Sequence, residues 1–222
     1  MIPSGLSREE VDFLRHLKLP FLLAWETSLP GSHIDFGQVD CARMVTERLL
    51  MSGHERLAFL GGFEASLDEL KKTGIHEALE SVGKCSKDLV EFPLPLDDGS
   101  AEEVFAELIS QKPRFTAVIA ADDGIAARFA QYLSTRTGMR VPETTSVASF
   151  HQYPFPCWIQ KALSTVNFDF FEAGRRAADS LARASMTGET PTNVPLPGTI
   201  VDGATIGGRP ILTVHKSASS AS

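Results

Sequence analysis

The sequence contains few cysteines, and they are not arranged as cysteine sites usually are. Only three occur among 222 residues, Cys41, Cys85 and Cys157, and no two of them form a Cys-x-x-Cys pair. No histidine lies near them at the spacing of metal ligands. The pattern favours small apolar side chains in a reducing compartment, with a redox or metal role as the alternative.

Long hydrophobic runs and basic clusters are also missing. No apolar stretch approaches the roughly 20 residues that a membrane-spanning helix requires. Residues 1–5 do not begin a basic and then apolar signal peptide. The formal net charge is -7, and no run of Lys and Arg forms the basic face of a nucleic-acid binder. We therefore expect a cytoplasmic protein without a membrane partner, whose present sequence does not itself contact DNA.

The motifs of several enzyme classes are absent as well. A dinucleotide site needs Gly-x-Gly-x-x-Gly directly after a strand, whereas only Gly61 and Gly62 follow one here. Neither a phosphate-binding Gly-x-x-x-x-Gly-Lys-Ser/Thr loop nor a Gly-x-Ser-x-Gly nucleophile elbow occurs. These absences favour a binding protein over an enzyme, and we expect no cofactor and no catalytic or metal-binding residues.

Segments typical of strands and helices alternate along nearly the whole chain. Ser7 and Glu10 are spaced as a capping box, which predicts a helix to about residue 18. The apolar patterns predict further helices over 39–51, 67–82, 100–110, 125–137 and 168–186. Strands are predicted over 19–25, 57–60, 89–92, 116–121, 146–150, 163–166 and 199–206. This alternation indicates an α/β fold, with parallel sheets flanked by helices.

The carboxyl ends of the predicted strands carry residues suited to ligand binding. In parallel sheets ligands bind at these ends. The residues that follow four strands are Trp25 and Glu26, Gly61 to Phe63, Asp122 and Asp123, and Phe150 and His151. Aromatic rings, glycines and carboxylates at such positions are more typical of a binding rim than of a packing surface.

Several segments, in order, resemble the lactose-repressor (LacI/GalR) family of bacterial transcription regulators. Residues 53–62 resemble its Gly-His-x-Arg-Ile-Ala-Phe-Ile-Gly-Gly signature, and 115–123 resemble its Thr-Ala-hydrophobic-Ala-Asn-Asp strand end. Residues 141–150 are similar to Val-Pro-Glu-Asp-x-Ser-Val-x-Gly-Phe, and 163–166 and 174–178 are similar to Leu-Thr-Thr-Val and the helix after it. These segments follow the family's order and spacing over nearly the whole chain.

The resemblance implies a two-lobed, periplasmic-binding-protein-like fold that forms a homodimer and holds a sugar-like or other polar effector between its lobes. It assigns residues 1–31 and 163–192 to a partial N-terminal lobe, and 32–162 and 193–212 to the C-terminal lobe. The small, polar composition of the chain end predicts a disordered tail over 213–222. Family members begin with a helix-turn-helix headpiece and the first strands of the N-terminal lobe. The resemblance therefore implies that DNA is bound only through a headpiece absent from this chain, and that an incomplete N-terminal sheet favours poor stability or self-association.

Some effector-contact positions of the family carry other residues here. Asp122 replaces an asparagine that hydrogen-bonds the effector, so we favour ligand contact for Asp122 and assign the helix-start role to Asp123. His151, after Phe150, replaces the first aspartate of Phe-Asp-Asp, and a histidine cannot reproduce the bidentate acceptance of a carboxylate. Ligand contact and an ordinary loop position both stay open for His151.

Lys71 occupies the position of a family arginine that faces the cleft, and a solvated helix lysine is the alternative. Trp25 and Glu26 end a strand where family members place an aromatic or acidic effector contact. The alternative for Trp25 is an ordinary core position. Phe63, after the glycine pair, and Phe36, near the crossover between lobes, are weaker candidates of the same kind.

His54 belongs to the Gly-His-x-Arg signature, but we predict a structural role because it lies at the start of a strand, away from the cleft. At the cleft, negative charge outweighs the single lysine, Lys71, since the candidate carboxylates are Glu26, Asp35, Asp122 and Asp123. This balance predicts a neutral polyol-like or weakly cationic ligand rather than an anionic sugar phosphate.

Two other functions stay open at this point. A solute-binding protein of a transport system shares the fold, but we expect it to carry an export signal and to lack the Gly-His-x-Arg signature. A truncated regulator that only dimerises with full-length relatives, or that has no function, is the second. The effector-sensing domain of a transcription regulator is the interpretation that the residues favour.

Overall fold

The computed structural model describes residues 7–24, 29–62, 65–94, 101–112, 114–150 and 163–208. Within these ranges the helices are α1 (Arg8–His16), α2 (Gln38–Met51), α3 (Ala65–Ser81), α4 (Ala101–Ser110), α5 (Asp123–Tyr132) and α6 (Phe170–Thr187). The strands are β1 (Leu23–Ala24), β2 (His33–Asp35), β3 (Leu57–Leu60), β4 (Leu89–Phe92), β5 (Ala117–Ala120), β6 (Ser146–Phe150), β7 (Ser164–Asn167), β8 (Val194–Pro195) and β9 (Thr199–Val201).

The strands form two sheets. The larger sheet has the order β4-β3-β5-β6-β7-β9, and all its neighbours are parallel except β7 and β9. The smaller sheet has the order β1-β2-β8 and is parallel throughout. The predicted α/β fold with parallel sheets flanked by helices is therefore confirmed.

The central strands of the larger sheet are buried on both faces. Every residue of β3, β5 and β6 is buried, as expected for parallel strands covered by helices. Helix α2 packs on β5, β6 and β7 and against α3, and α5 packs on β5 and β6. Burial of each large apolar side chain in this core contributes about 1.5–3 kcal/mol.

The chain passes between the two sheets at three places, and aromatic side chains pack at these crossovers. Phe36 follows β2 and lies edge to face with Phe168, which follows β7, at 5.4 Å between ring centroids. The ring of Phe170, in the first turn of α6, lies 6.1 Å from that of Phe36. At the third crossover, a Cβ added to Gly198 would lie 2.8 Å from the Phe168 ring. The crossovers are therefore closely packed against one another.

The strand pairing differs from the predicted lobe boundaries at three strands. Residues 163–192 are predicted to belong to the N-terminal lobe, but β7 pairs with β6 in the larger sheet. The ranges 32–162 and 193–212 are predicted to belong to the C-terminal lobe, but β2 and β8 pair with each other, and β2 with β1, in the smaller sheet. The reason is that β2 and β8 are three and two residues long, too short to show an alternating apolar pattern.

Two cysteines lie in the described ranges, and both are unpaired. Cys41 is buried beside the first crossover, and this burial raises the pKa of its thiol to about 11, so it stays protonated. It packs as a small apolar residue, whereas Cys85 is exposed. Cys157 and the predicted tail 213–222 lie outside the described residues. In the part of the chain that is described, no helix is long and apolar enough to cross a membrane.

Candidate functional site

The carboxyl ends of β3, β5 and β6 lie side by side, and the residues at these ends meet. Gly62 follows β3, Asp122 follows β5, and Phe150 is the last residue of β6. Helix α3 begins directly after β3 and brings Asp68 and Lys71, one turn apart, over the same edge of the sheet. We name the three side chains Asp68, Lys71 and Asp122 the strand-end cluster.

Lys71 is buried at this edge, with only 2% of its surface exposed. Its Nζ donates a hydrogen bond of 3.0 Å to the carbonyl oxygen of Ala121. It also lies 5.3 Å from the centroid of the Phe150 ring and 3.9 Å from Oδ1 of Asp68. The alternative of a solvated helix lysine is therefore wrong, whereas the predicted contact of Lys71 with a ligand in the cleft stays a prediction.

Asp68 is 8% exposed and was not among the predicted site residues. Its Oδ2 accepts a hydrogen bond of 2.7 Å from the backbone N–H of Gly62, and its Oδ1 has no hydrogen-bond donor among the described residues. Burial raises the pKa of Asp68, while Lys71 and the Gly62 N–H oppose that rise. The signal in the sequence was the three-residue spacing of Asp68 and Lys71, which places opposite charges on one face of a helix.

Asp122 is the N-cap of α5, because its Oδ1 accepts a hydrogen bond of 2.7 Å from the backbone N–H of Ile125. Burial raises the pKa of Asp122, whereas the Ile125 N–H and Lys71 oppose the rise. The helix-start role predicted for Asp123 thus belongs to Asp122. Ligand contact by Asp122 stays a prediction, which its place beside Lys71 supports.

Asp123 has a different role, because it holds the ends of two strands together. It is 5% exposed, and its Oδ1 accepts hydrogen bonds from the hydroxyl of Ser149 in β6 at 2.5 Å and from that of Thr165 in β7 at 2.8 Å. Sequence reasoning missed both hydroxyls. The available signal was Ser149, which stands where the LacI/GalR segment has a glycine.

A groove of about 330 Å³ lies between the smaller sheet and α3, and we name it the crossover groove. It is lined by residues 33–40, from β2 and the start of α2, and by Leu67 and Leu70 of α3. Gln38 is 7% exposed, and its Oε1 has no hydrogen-bond donor among the described residues. Grooves of about 440 and 510 Å³ elsewhere contain none of the predicted site residues.

Phe36 also lines the crossover groove but is only 3% exposed. Since its ring packs against Phe168 and Phe170, its main observed role is packing at the crossover. Asp35 supplies a carboxylate on the smaller-sheet side of the groove, where its Oδ1 accepts a hydrogen bond of 2.9 Å from the Gly37 N–H. The crossover groove is therefore lined both by apolar side chains and by oxygen atoms that can accept hydrogen bonds.

The structural role predicted for His54 is confirmed. Its side chain is buried, with Nδ1 2.9 Å from the hydroxyl of Thr116 and Nε2 3.0 Å from the carbonyl oxygen of Gly207. These contacts lie at the amino ends of the strands, opposite the strand-end cluster. The remaining predicted ligand contacts lie outside the described residues and stay predictions: Trp25, Glu26, Phe63 and His151.

The raised pKa of Asp122 predicts a pH-dependent effect of its substitution. Between pH 3.8, its usual pKa, and its raised pKa, Asp122 holds more proton in the folded protein than in the unfolded chain. Stability is therefore lost as the pH rises towards the raised pKa. Asp122→Asn keeps an N-cap acceptor but has no charge. We expect the variant to gain stability relative to the unmodified protein between about pH 4 and pH 7, measured by urea unfolding. A constant difference across that range would contradict this expectation.

Comparison with known proteins identifies the family. Residues 46–206 match the periplasmic binding protein-like domain. The HTH-type transcriptional regulator GntR of Pseudomonas aeruginosa is 30% identical over 152 residues, which cover 67% of this chain and 43% of that protein. GntR of Escherichia coli K12 is 27% identical over 181 residues, which cover 78% and 52% of the two chains. This chain spans about half the length of these curated relatives.

Solved structures of LacI family regulators are similar in fold to this chain. A LacI family transcriptional regulator from Enterococcus faecium, with bound ribose, has a TM-score of 0.80 and 19% identity, covering 93% of this chain and 78% of its own. A LacI regulator from a Rhodococcus species has a TM-score of 0.81 and 22% identity, with coverage of 93% and 76%. Since the family match extends over most of the sequence, the chain belongs to the periplasmic binding protein-like domain family, in the form that LacI/GalR-type transcription regulators carry.

Proposed function

We propose that this chain binds a small polyhydroxy molecule at the strand-end cluster and the adjoining crossover groove. Binding there is the sensing step of a cytoplasmic LacI/GalR-type transcription regulator. The observation that carries this proposal is the burial of Lys71 beside Asp122 and Phe150, at the carboxyl ends of parallel strands. Ligands of α/β folds bind at such ends, and buried ionisable groups with perturbed pKa values are typical of binding sites.

The chemistry of these groups suits hydroxyl-rich ligands. A hydroxyl group both donates and accepts, so it can donate to the carboxylates of Asp122 and Asp35 and accept from the ammonium of Lys71. The apolar wall formed by Leu67 and Leu70 suits the carbon face of a sugar or polyol. The carboxylates outnumber the ammonium, which supports a neutral or weakly cationic ligand.

The regulatory part of the proposal rests on the relatives. Those quoted above are named as transcription regulators, and the Enterococcus faecium neighbour holds ribose. In this proposal the effector binds two arrangements of the lobes with different affinities and so favours one of them. The change in lobe arrangement is transmitted to a DNA-binding headpiece elsewhere in a homodimer. The packed crossovers at Phe36 and Phe168 are the connections through which such a change would pass.

The test is calorimetric titration of the chain with ribose, galactose, glucitol and glucosamine. We expect at least one of them to bind with a Kd below roughly 1 mM, which corresponds to about 4 kcal/mol. The Asp122→Ser variant, which keeps a hydroxyl N-cap, should bind that compound at least about tenfold more weakly, a loss of roughly 1.4 kcal/mol.

Asp88→Ser is the matched control, because Asp88 accepts a hydrogen bond from the Cys85 N–H in a turn before the amino end of β4. It should bind like the unmodified chain. The proposal fails if none of the four compounds binds, or if Asp122→Ser and Asp88→Ser bind the ligand equally well.

A further inference from the structure

Asp68 and Lys71 form a buried pair of opposite charges on α3. The side chain of Lys71 is 3% exposed and that of Asp68 is 12% exposed, and Lys71 Nζ lies 3.9 Å from Asp68 Oδ1. An ammonium group removed from water needs compensating negative groups around it, because its burial alone is costly. Asp68 supplies such a carboxylate on the same face of α3.

Two further contacts of Lys71 also direct negative charge or electron density at its ammonium. One is with the carbonyl oxygen of Ala121 at 3.0 Å, and the other is with the face of the Phe150 ring. An anionic ligand that approached the strand ends would therefore meet a lysine whose positive charge is already balanced, with the carboxylate of Asp122 beside it.

We propose that Asp68 is the internal counter-ion of Lys71 and thereby determines the charge selectivity of the site, so that anions are rejected and neutral or cationic ligands are admitted. This inference deepens the proposed function and rests on it for the identity of the site. Asp68 acts here as a positioning and specificity-determining residue, since it works through Lys71.

The geometry explains why Asp68 can hold this position. Its Oδ2 is fixed by the Gly62 N–H at 2.7 Å, which leaves Oδ1 on the side of Lys71. The turn between β3 and α3 allows this approach only because position 61 is glycine. A Cβ added to Gly61 would lie 2.8 Å from Asp68 Oδ2. Because the amide oxygen of an asparagine can replace Asp68 Oδ2, Asp68→Asn preserves the acceptor for the Gly62 N–H and removes only the charge.

The experiment measures sulfate binding by calorimetry at low ionic strength, where screening is weakest. We expect the unmodified chain to bind sulfate weakly or not at all. Asp68→Asn should bind it at least about tenfold more tightly, because the charge of Lys71 is no longer balanced at close range. The double variant Asp68→Asn/Lys71→Met should lose this gain. Glu69→Gln, whose parent side chain pairs with Lys72 on the exposed face of α3, is the control and should behave like the unmodified chain.

The outcomes separate this inference from the proposed function, because sulfate binding requires no knowledge of the effector. Equal sulfate affinity in Asp68→Asn and the unmodified chain overturns the counter-ion role, as does tight sulfate binding by the unmodified chain through Lys71. Asp68→Ser provides a second neutral variant should Asp68→Asn not fold, and loss of the fold in both would show a purely structural carboxylate. If Asp68→Asn gains sulfate affinity but the chain binds no sugar, the counter-ion role of Asp68 stands and the proposed class of ligand is wrong.

Discussion

Gly74→Ala is expected to lower the free energy of unfolding by more than about 2 kcal/mol, although alanine is the better helix former by about 1 kcal/mol. Gly74 lies in the middle of α3, where this helix crosses α2. A Cβ added there would lie 2.0 Å from the carbonyl oxygen of Val39 and 2.9 Å from the Cβ of Ala42. Since Val39 contributes a backbone atom, no side-chain rotation relieves the overlap, and the two helices must move apart.

Gly174→Ala is the matched control for this substitution. Gly174 also lies inside a helix, α6, but no atom lies within 4 Å of a Cβ added there. We expect this variant to gain roughly 0.4–1 kcal/mol, because alanine restricts the unfolded chain. Urea unfolding of both variants measures the difference. Two variants of equal stability would show that α2 and α3 separate at little cost, and that their close approach does not stabilise the larger sheet.

The centre of the larger sheet was predictable because β3 and β5 have continuous apolar sequences bounded by glycine or polar residues. The predicted bounds of β3, β4 and β6 agree with the structure, and the capping box of Ser7 and Glu10 is present as expected. The local sequence pattern is sufficient to determine where these elements begin and end. Within the described part of the predicted strand over 19–25, only the two residues of β1 form a strand, because its extent depends on pairing with β2 rather than on its own sequence.

The smaller sheet was harder to predict for the same reason. Strands β2 and β8 are paired across more than 150 positions of sequence, with Ile34 opposite Val194. Their formation depends on the chain returning through α6, which no local pattern contains. The lobe boundaries differ from the prediction because these strands, and β7, belong to sheets that only the complete topology determines.

The sequence predicted some members of the site but not Asp68, and it did not predict all their roles. The positions of Asp122 and Phe150 at adjoining strand ends followed from the strand pattern, whereas Lys71 was identified from the resemblance to the LacI/GalR family. Two neighbouring aspartates cannot be assigned from sequence, because either one can cap a helix. The structure distinguishes them through partners on distant strands, since Asp123 is held by Thr165 and Ser149 while Asp122 holds the Ile125 N–H.

Lys71→Met is expected to reduce the stability of the protein by about 3–5 kcal/mol at neutral pH, because it leaves the buried carboxylate of Asp68 without its compensating charge. Removing Lys71 also removes an interaction that holds the pKa of Asp68 down. In the variant, Asp68 therefore takes up a proton at higher pH. Because a raised pKa in the folded state means that stability is lost as the pH rises, the deficit of Lys71→Met should be smaller near pH 5 than near pH 8.

Lys72→Met is the matched control, one position further along α3. Its ammonium pairs with Glu69 and Glu91 at the edge of the helix, where its side chain is 22% exposed, and such pairs contribute only about 0–1 kcal/mol. Adding Asp68→Asn to Lys71→Met should recover part of the lost stability, since the buried charge of Asp68 is then removed and only Asp122 lacks the opposing charge of Lys71. Urea unfolding of the four proteins at both pH values measures these effects. A deficit of Lys71→Met that is independent of pH, and that Asp68→Asn does not reduce, would mean that Lys71 stabilises the strand ends by packing on Phe150 rather than through its charge.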